Sequence, residues 1–433
     1  MRPLYHYAAA ANWLSDPNGL VHHDGEWHLF YQYNPQGEDW GHMSWGHAVS
    51  TDLATWRELP VAIEDDPQDL IFSGSAVCDP DGRAGFGTNA LIALYTASSA
   101  QPPQRQSQAL AWSIDRGRTW HKYDGNPVVD RGLADFRDPN VFWHEATQRW
   151  IMVVALSAEH RALIYGSSDL RHWDELSVVE SGGAPGRIWE CPLLIELPVE
   201  DCGETRWVFK VDVLHDGPGS GTIYRTGTFD GTRFVADGRA AAPWQVADWG
   251  SDFYAAIAWH EPRDAKGRPL WVGWMGNHAY QAQLPRQGWR GAMSLPRRLS
   301  LVTAGEGWAL RQEVEPAAVA GVPTVSHLAD AIPVAARIVL PPAEYCTLTV
   351  ADAAGRQFVI ERHAALLSIC RRDSVSPVLD TVGRCHVASG APVVLWFDAG
   401  SCEVLSAEGL CALTFQHRLA GESWAMRFTP GGD

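Results

Sequence analysis

No two of the eight cysteines, at 78, 191, 202, 346, 370, 385, 402 and 411, form a C-x-x-C pair, and no His/Cys group has zinc spacing. A metal is therefore not indicated. Thiols so scattered in a chain of 433 residues are expected to be reduced rather than joined in a disulfide framework. No apolar run is long enough to cross a bilayer. The start, Met1-Arg2-Pro3-Leu4-Tyr5, lacks a basic stretch followed by an apolar one, so the expected location is the cytoplasm. Positive charge is also scarce: 34 Lys and Arg against 51 Asp and Glu give a net charge of −17. That balance argues against nucleic acid and against anionic membranes as partners. Gly217-Pro218-Gly219-Ser220-Gly221 lacks the Gly-Lys-Ser/Thr ending of a phosphate loop and is read as a turn. Nothing calls for a cofactor, and the oligomeric state is open.

Tryptophan, by contrast, is abundant, with 21 residues, and flat rings suit the apolar faces of sugars. Three carboxylates stand in similar surroundings, in Trp13-Leu14-Ser15-Asp16-Pro17-Asn18-Gly19, Phe136-Arg137-Asp138-Pro139 and Trp189-Glu190-Cys191-Pro192. Each acid lies one or two positions before a proline and beside bulky groups that can desolvate it. Asp16 is expected at a strand end, with Pro17-Asn18-Gly19 forming a tight turn. Two carboxylates across a glycosidic bond, one ionised and one protonated, are what cleavage of a sugar linkage requires.

A repeat organises the chain. Ser50-Thr51-Asp52-Leu53-Ala54-Thr55-Trp56 recurs with variations from Ser113 to Trp120, Ser167 to Trp173 and Thr228 to Phe234, at intervals of 63, 54 and 61. Polar turns at this period, flanked by short β-rich runs, indicate propeller blades. Asp16, Ser73, Asp138, Glu190 and Asp252 keep the same beat, 57, 65, 52 and 62 apart. On one strand of successive blades, all five would face a central channel. After Arg298 the repeat ends and tryptophan thins to Trp308, Trp396 and Trp424. Alternating runs there read as a β-sandwich. The fold class is all-β: a five-bladed propeller over 1–303 and a sandwich over 304–433, with Ala304–Gly307 as hinge.

The wording of the motifs resembles glycoside hydrolase family 32, the β-fructosidases, over nearly all of residues 1–301. Besides the three acidic motifs the resemblance rests on Tyr31-Gln32-Tyr33-Asn34-Pro35, Trp40-Gly41-His42-Met43-Ser44-Trp45-Gly46-His47, Phe72-Ser73-Gly74-Ser75-Ala76, Asp252-Phe253-Tyr254-Ala255-Ala256 and Trp289-Arg290-Gly291-Ala292-Met293-Ser294. Ser15 replaces the family's usual Asn, and Leu193 its Asp. The resemblance implies a retaining exo-β-fructosidase acting on sucrose, fructo-oligosaccharides or fructans. The alternatives are a fructosyltransferase on the same scaffold and, more remotely, a non-catalytic sugar-binding propeller. Asp16 is the expected nucleophile. Glu190 is the expected acid/base, its pKa raised by the Trp189 and Cys191 collar. Asp138 is expected to stay ionised beside Arg137 and to bind fructose hydroxyls. Ser15, Gln32, Trp40, Phe72, Ser73 and Arg137 are expected around the sugar, with Asp252 and Tyr254 at the leaving group and Trp274 nearby.

Overall fold

The computed structural model describes residues 1–214, 220–238, 244–284, 286–372 and 382–431. Most of the 217–221 stretch read as a turn lies outside them. Among the described residues there is no α-helix.

Five antiparallel sheets are arranged around a channel, and each begins with its innermost strand: Asn12–His23, Asp69–Asp79, Phe136–His144, Ile188–Pro198 and Tyr254–Trp259. The next strands outward are among the most apolar of the chain. Trp150 to Leu156 are all buried because neighbouring blades cover both faces of a sheet. The ring closes where Trp289–Arg290 pairs parallel with Asn12 and Trp13. The link needs Gly291, at φ 95°: a Cβ there would stand 1.9 Å from the Leu14 carbonyl oxygen.

The repeat is the turn from third to fourth strand in a blade. Asp52 Oδ1 accepts the amides of Ala54 and Thr55, and Ser50 Oγ accepts that of Leu53. Trp56, Trp120 and Trp173 each donate an indole N–H to a turn carbonyl, of Leu53, Gly117 and Leu170, at 3.2, 3.1 and 3.0 Å. The motif recurs because each blade must satisfy the same backbone groups at the same corner.

The last blade corrects the expected boundary. Arg297–Ala304 pairs antiparallel with Gly307–Val314, so Ala304–Gly307 is a hairpin turn inside the propeller and not a hinge. Sandwich strands begin at Thr324–Val325 and form two sheets of five and six strands. In the six-stranded sheet burial alternates, as in Tyr345–Ala351, since one face meets the core, whereas Ser401–Ser406 of the five-stranded sheet is buried throughout, against the core and the propeller. Cys385 and Cys411 are joined by a disulfide inside the sandwich, where free thiols were expected; their Cα atoms are 6.1 Å apart. Sequence spacing gave no sign of that proximity, because tertiary folding brings the two strands together.

Candidate active site

All five innermost strands carry one extra residue at the same end of the channel. The bulges fall between Leu14 and Pro17, Phe72 and Gly74, Arg137 and Asn140, Glu190 and Leu193, and Tyr254 and Ile257. A bulge bends a strand and re-aims its side chains. Asp138, Cys191 and Ala255 take the positive φ that this geometry requires, at 65°, 47° and 53°. Pro139 and Pro192 follow at positions with no ladder partner, where a missing N–H costs nothing. Asp16 therefore lies within a continuous strand, at its bulge, rather than at the strand end that Pro17-Asn18-Gly19 suggested.

The bulges bring the acids together. Asp16, Asp138 and Glu190 line one cavity of about 350 Å³, together with Ser15, Gln32, Trp40, Phe72, Ser73 and Arg137. Ser73 Oγ donates to Asp16 at 2.7 Å. The Cys191 amide donates to Asp138 at 2.9 Å. Arg137, Glu190 and Tyr254 hold the same register position in successive blades, and their side chains meet. Arg137 Nε donates to Glu190 Oε1 at 3.1 Å, and Tyr254 donates to Glu190 Oε2 at 2.5 Å. Gln32 donates to the Ile71 carbonyl at 3.0 Å, which fixes its amide at the wall. Trp40 is exposed at the rim, 6.1 Å from Phe72, whereas Trp45 is packed inside its blade.

Three expected contacts do not line the cavity. Asp252 is fully buried and pairs with Arg371 of the sandwich at 2.9 Å, also accepting from Tyr280 and the Gln416 amide. It precedes its strand and faces the neighbouring domain, so the shared sequence interval misplaced it. Trp274, also fully buried, packs behind the site on Trp13 and His278. Tyr254 acts on Glu190 from behind and is itself buried.

The charges also differ from expectation. Arg137 and Asp138 both line the cavity, yet the guanidinium pairs with Glu190 of the next blade and with Asp135, and acts on Asp138 only through space. Burial pushes Glu190 up, but Arg137, His278 and the bonds from Tyr254 and Arg137 outweigh it and leave the carboxyl below its ordinary range. Burial dominates at Asp138, opposed by Arg137 and reinforced by Glu190, and holds it well above that range. Asp16 is raised too: burial and the Glu190 charge exceed the effect of the Ser73 bond. These surroundings favour a proton on the aspartate side of the trio over one on Glu190.

Sequence reading missed several neighbours. Gln106 Oε1 takes the Phe136 amide at 3.0 Å and Arg137 at 3.2 Å. Thr96 accepts the Asp138 amide at 2.9 Å and donates to Gln108 at 2.9 Å. The one clue was the wholly polar start, Gln106-Ser107-Gln108, of a strand that is apolar from Ala109 to Trp112. His278, on the cavity wall, stands in no motif. Beneath the site, Lys210 donates to the carbonyls of Cys191 at 2.9 Å and Ala256 at 2.6 Å and pairs with Asp212.

The family model described as "Glycosyl hydrolases family 32 N-terminal domain" matches residues 6–313. A levanase of Bacillus subtilis is 46% identical over 316 residues, which is 71% of this chain and 46% of that protein. The chain thus spans about half of the levanase's length. An exo-inulinase crystal structure from Aspergillus awamori superposes with a TM-score of 0.87 at 30% identity, covering 100% of this chain and 95% of that one. A fructofuranosidase from Schwanniomyces occidentalis, complexed with fructosylnystose, does so at 0.85 and 28%, covering 99% and 94%.

Proposed function

The chain belongs to glycoside hydrolase family 32, and from that premise we propose that it is a retaining exo-β-fructosidase releasing terminal fructose from sucrose, fructo-oligosaccharides and fructans. The observation that carries this reading is the convergence of Asp16, Asp138 and Glu190, from three blades, on one cavity with Arg137 among them. Asp16, oriented by Ser73, attacks the anomeric carbon of the fructosyl unit. Glu190 protonates the departing oxygen and later activates the water that frees the sugar from Asp16. Sugar hydroxyls donating to Asp138 favour its ionised form. Binding therefore moves the proton from Asp138 towards Glu190, where departure needs it. Arg137 and Tyr254 hold Glu190 in place throughout. Likeness to a levanase and an exo-inulinase supports fructan over sucrose alone as the substrate class.

A second reading, fructosyl transfer, draws on Ser15. Its Oγ accepts the Trp13 indole N–H at 3.2 Å, so its own proton is available at the wall beside Asp16. A hydroxyl there can orient an incoming sugar as well as water. Product analysis over time on sucrose, 1-kestose and levanbiose tests both readings. Hydrolysis gives fructose and glucose in equal amounts from sucrose at every concentration. Glucose in excess of fructose at high sucrose, with longer oligosaccharides, establishes transfer. Turnover of none of the three removes the proposal.

A further inference from the structure

The propeller channel has a second mouth. The innermost strands carry the acids in their N-terminal halves. Their C-terminal ends, at Leu20–His22, Ala76–Cys78, Val141–His144 and Glu196, surround a separate cavity of about 1040 Å³. At a strand rise of ~3.3 Å per residue, His144 lies roughly 20 Å along the chain from Asp138. No residue lines both cavities.

Rings dominate the walls. His260 stacks on Phe142 with centroids 5.3 Å apart, and Trp207 packs on Phe142 at 5.4 Å. Trp143 meets Trp150 edge-on at 5.1 Å. Trp143 and Trp207 are half-buried, so part of each ring stays accessible. Trp150 Nε1 and His260 Nε2 are buried behind these ring faces without a hydrogen-bond partner, so the wall offers its faces rather than its nitrogens. Burial, reinforced by Arg263, pushes the His260 ring down to about 3. It is therefore a neutral ring and not a charge.

The rim favours a neutral ligand. Glu145, Glu196 and Glu261 mix with Arg263 and Lys266, and Arg263 is tied to Glu261 at 3.1 Å. Neither sign prevails, so no ion is selected. A purely apolar ligand would cover the rim's carboxylates, guanidinium and ammonium without pairing them. Sugars satisfy both demands, with C–H faces for the half-exposed indoles and hydroxyls for the charged groups of the rim. The volume is at the top of the ~300–1,000 Å³ range of small-ligand pockets and admits several sugar rings.

We propose that this second mouth is a non-catalytic saccharide site that holds a short run of a fructan chain, an inference resting on the fructan reading of the catalytic mouth. A chain held there raises the local concentration of its ends at the catalytic mouth of the same or a neighbouring molecule.

Nystose titrated calorimetrically into the Glu190→Gln full-length enzyme tests this without turnover. Two sites are expected, one of which disappears on adding Trp207→Leu, or Trp143→Ala should the first variant not fold. With Glu190 restored, the same tryptophan substitution is expected to raise KM on inulin at least threefold and to leave kcat and KM on sucrose within twofold. A single nystose site that neither tryptophan substitution weakens overturns the proposal. Failure of the catalytic reading shows separately, as absence of turnover in the unsubstituted enzyme.

Discussion

Arg137 reaches across to Glu190 and leaves the adjacent Asp138 to be governed mainly by burial, so a proton is favoured on Asp138 over Glu190, where catalysis finally needs it. That makes Arg137 the group that sets the alkaline side of the activity profile. The acid form of Glu190 is required, and the guanidinium favours the ionised form. The proton Glu190 needs is the one the trio holds on Asp138, so activity is lost as that proton leaves, and the guanidinium, which favours the ionised form of both carboxyls, brings the loss to lower pH. Arg137→Gln should lower kcat and also move the alkaline limb of kcat/KM upward by about one unit or more, the scale on which a neighbouring Arg shifts a carboxylate. A limb that stays put or moves down in the variant would assign it to another group. The acid limb reports Asp16, which must be ionised to attack and is raised by burial. The three acids were legible in the sequence because each sits in a distinctive motif that bulges need, an acid with proline close behind. The pairing of Arg137 was not, since sequence adjacency suggests Asp138 and only the packing of the next blade brings Glu190 within reach. Gln106, Thr96 and His278 were invisible for a related reason: single polar residues on strands carry no spacing that marks them.

At the scale of the strand, the same bulge is used five times, yet two of its occurrences share a brace. Lys210, 1% exposed, places one ammonium against the Cys191 and Ala256 carbonyls, one from each of two neighbouring bulges, and balances its charge on Asp212, which Thr222 also supports. Those bulges carry Glu190 and Tyr254, so the brace fixes the bond between them. Lys210→Met leaves Asp212 buried and unpaired, with an expected loss of ~3–5 kcal/mol in stability. Adding Asp212→Asn removes the orphaned charge and should recover much of that loss. The carbonyls remain without a donor, so kcat should stay at least tenfold down while KM on sucrose changes little. Chemical denaturation and steady-state kinetics on both variants decide it: activity that returns with stability would make the pair a fold element only. Four blades were legible from the Ser/Thr-x-Asp turn that closes the same corner in each, while the fifth closes it with the Ala304–Gly307 hairpin and was counted from length and period. The bulges were not, because an extra residue changes register without changing composition. The Ala304–Gly307 hairpin was taken for a hinge because turn residues look alike whether they join strands or domains.

Over the whole molecule, the two domains are tied by buried charge. Arg371 of the sandwich holds Asp252 and Tyr280, and the Tyr280 segment carries His278 to the cavity wall, so the sandwich bears on the active site through one short loop. Asp252 was legible as special and wrong in kind, since a buried acid at a blade edge serves a domain contact as well as it would a sugar. On the other side of the contact, Arg297 bonds Asp248 and Glu403, and His6 lies between Asp398 at 3.0 Å and Glu403 at 2.8 Å. Burial alone would lower the His6 pKa, but the hydrogen bonds and charges of the two carboxylates prevail and lift it to about 9 from an ordinary 6.5. The folded protein therefore holds this proton more tightly than the unfolded chain. Its stabilising contribution is complete below about pH 6.5 and is lost as pH rises through about 9. Losing the proton leaves Asp398 and Glu403 without a cation between them, a cost of a few kcal/mol. Thermal unfolding followed from pH 6 to 9 should accordingly show a falling midpoint. His6→Gln should start lower at pH 6 and lose most of that slope, because the amide can bond the carboxylates but cannot titrate. Other titrating groups bend both curves alike, so the difference between the two proteins isolates His6. Parallel curves would mean that His6 is neutral in the fold and that Arg297 alone balances the cluster.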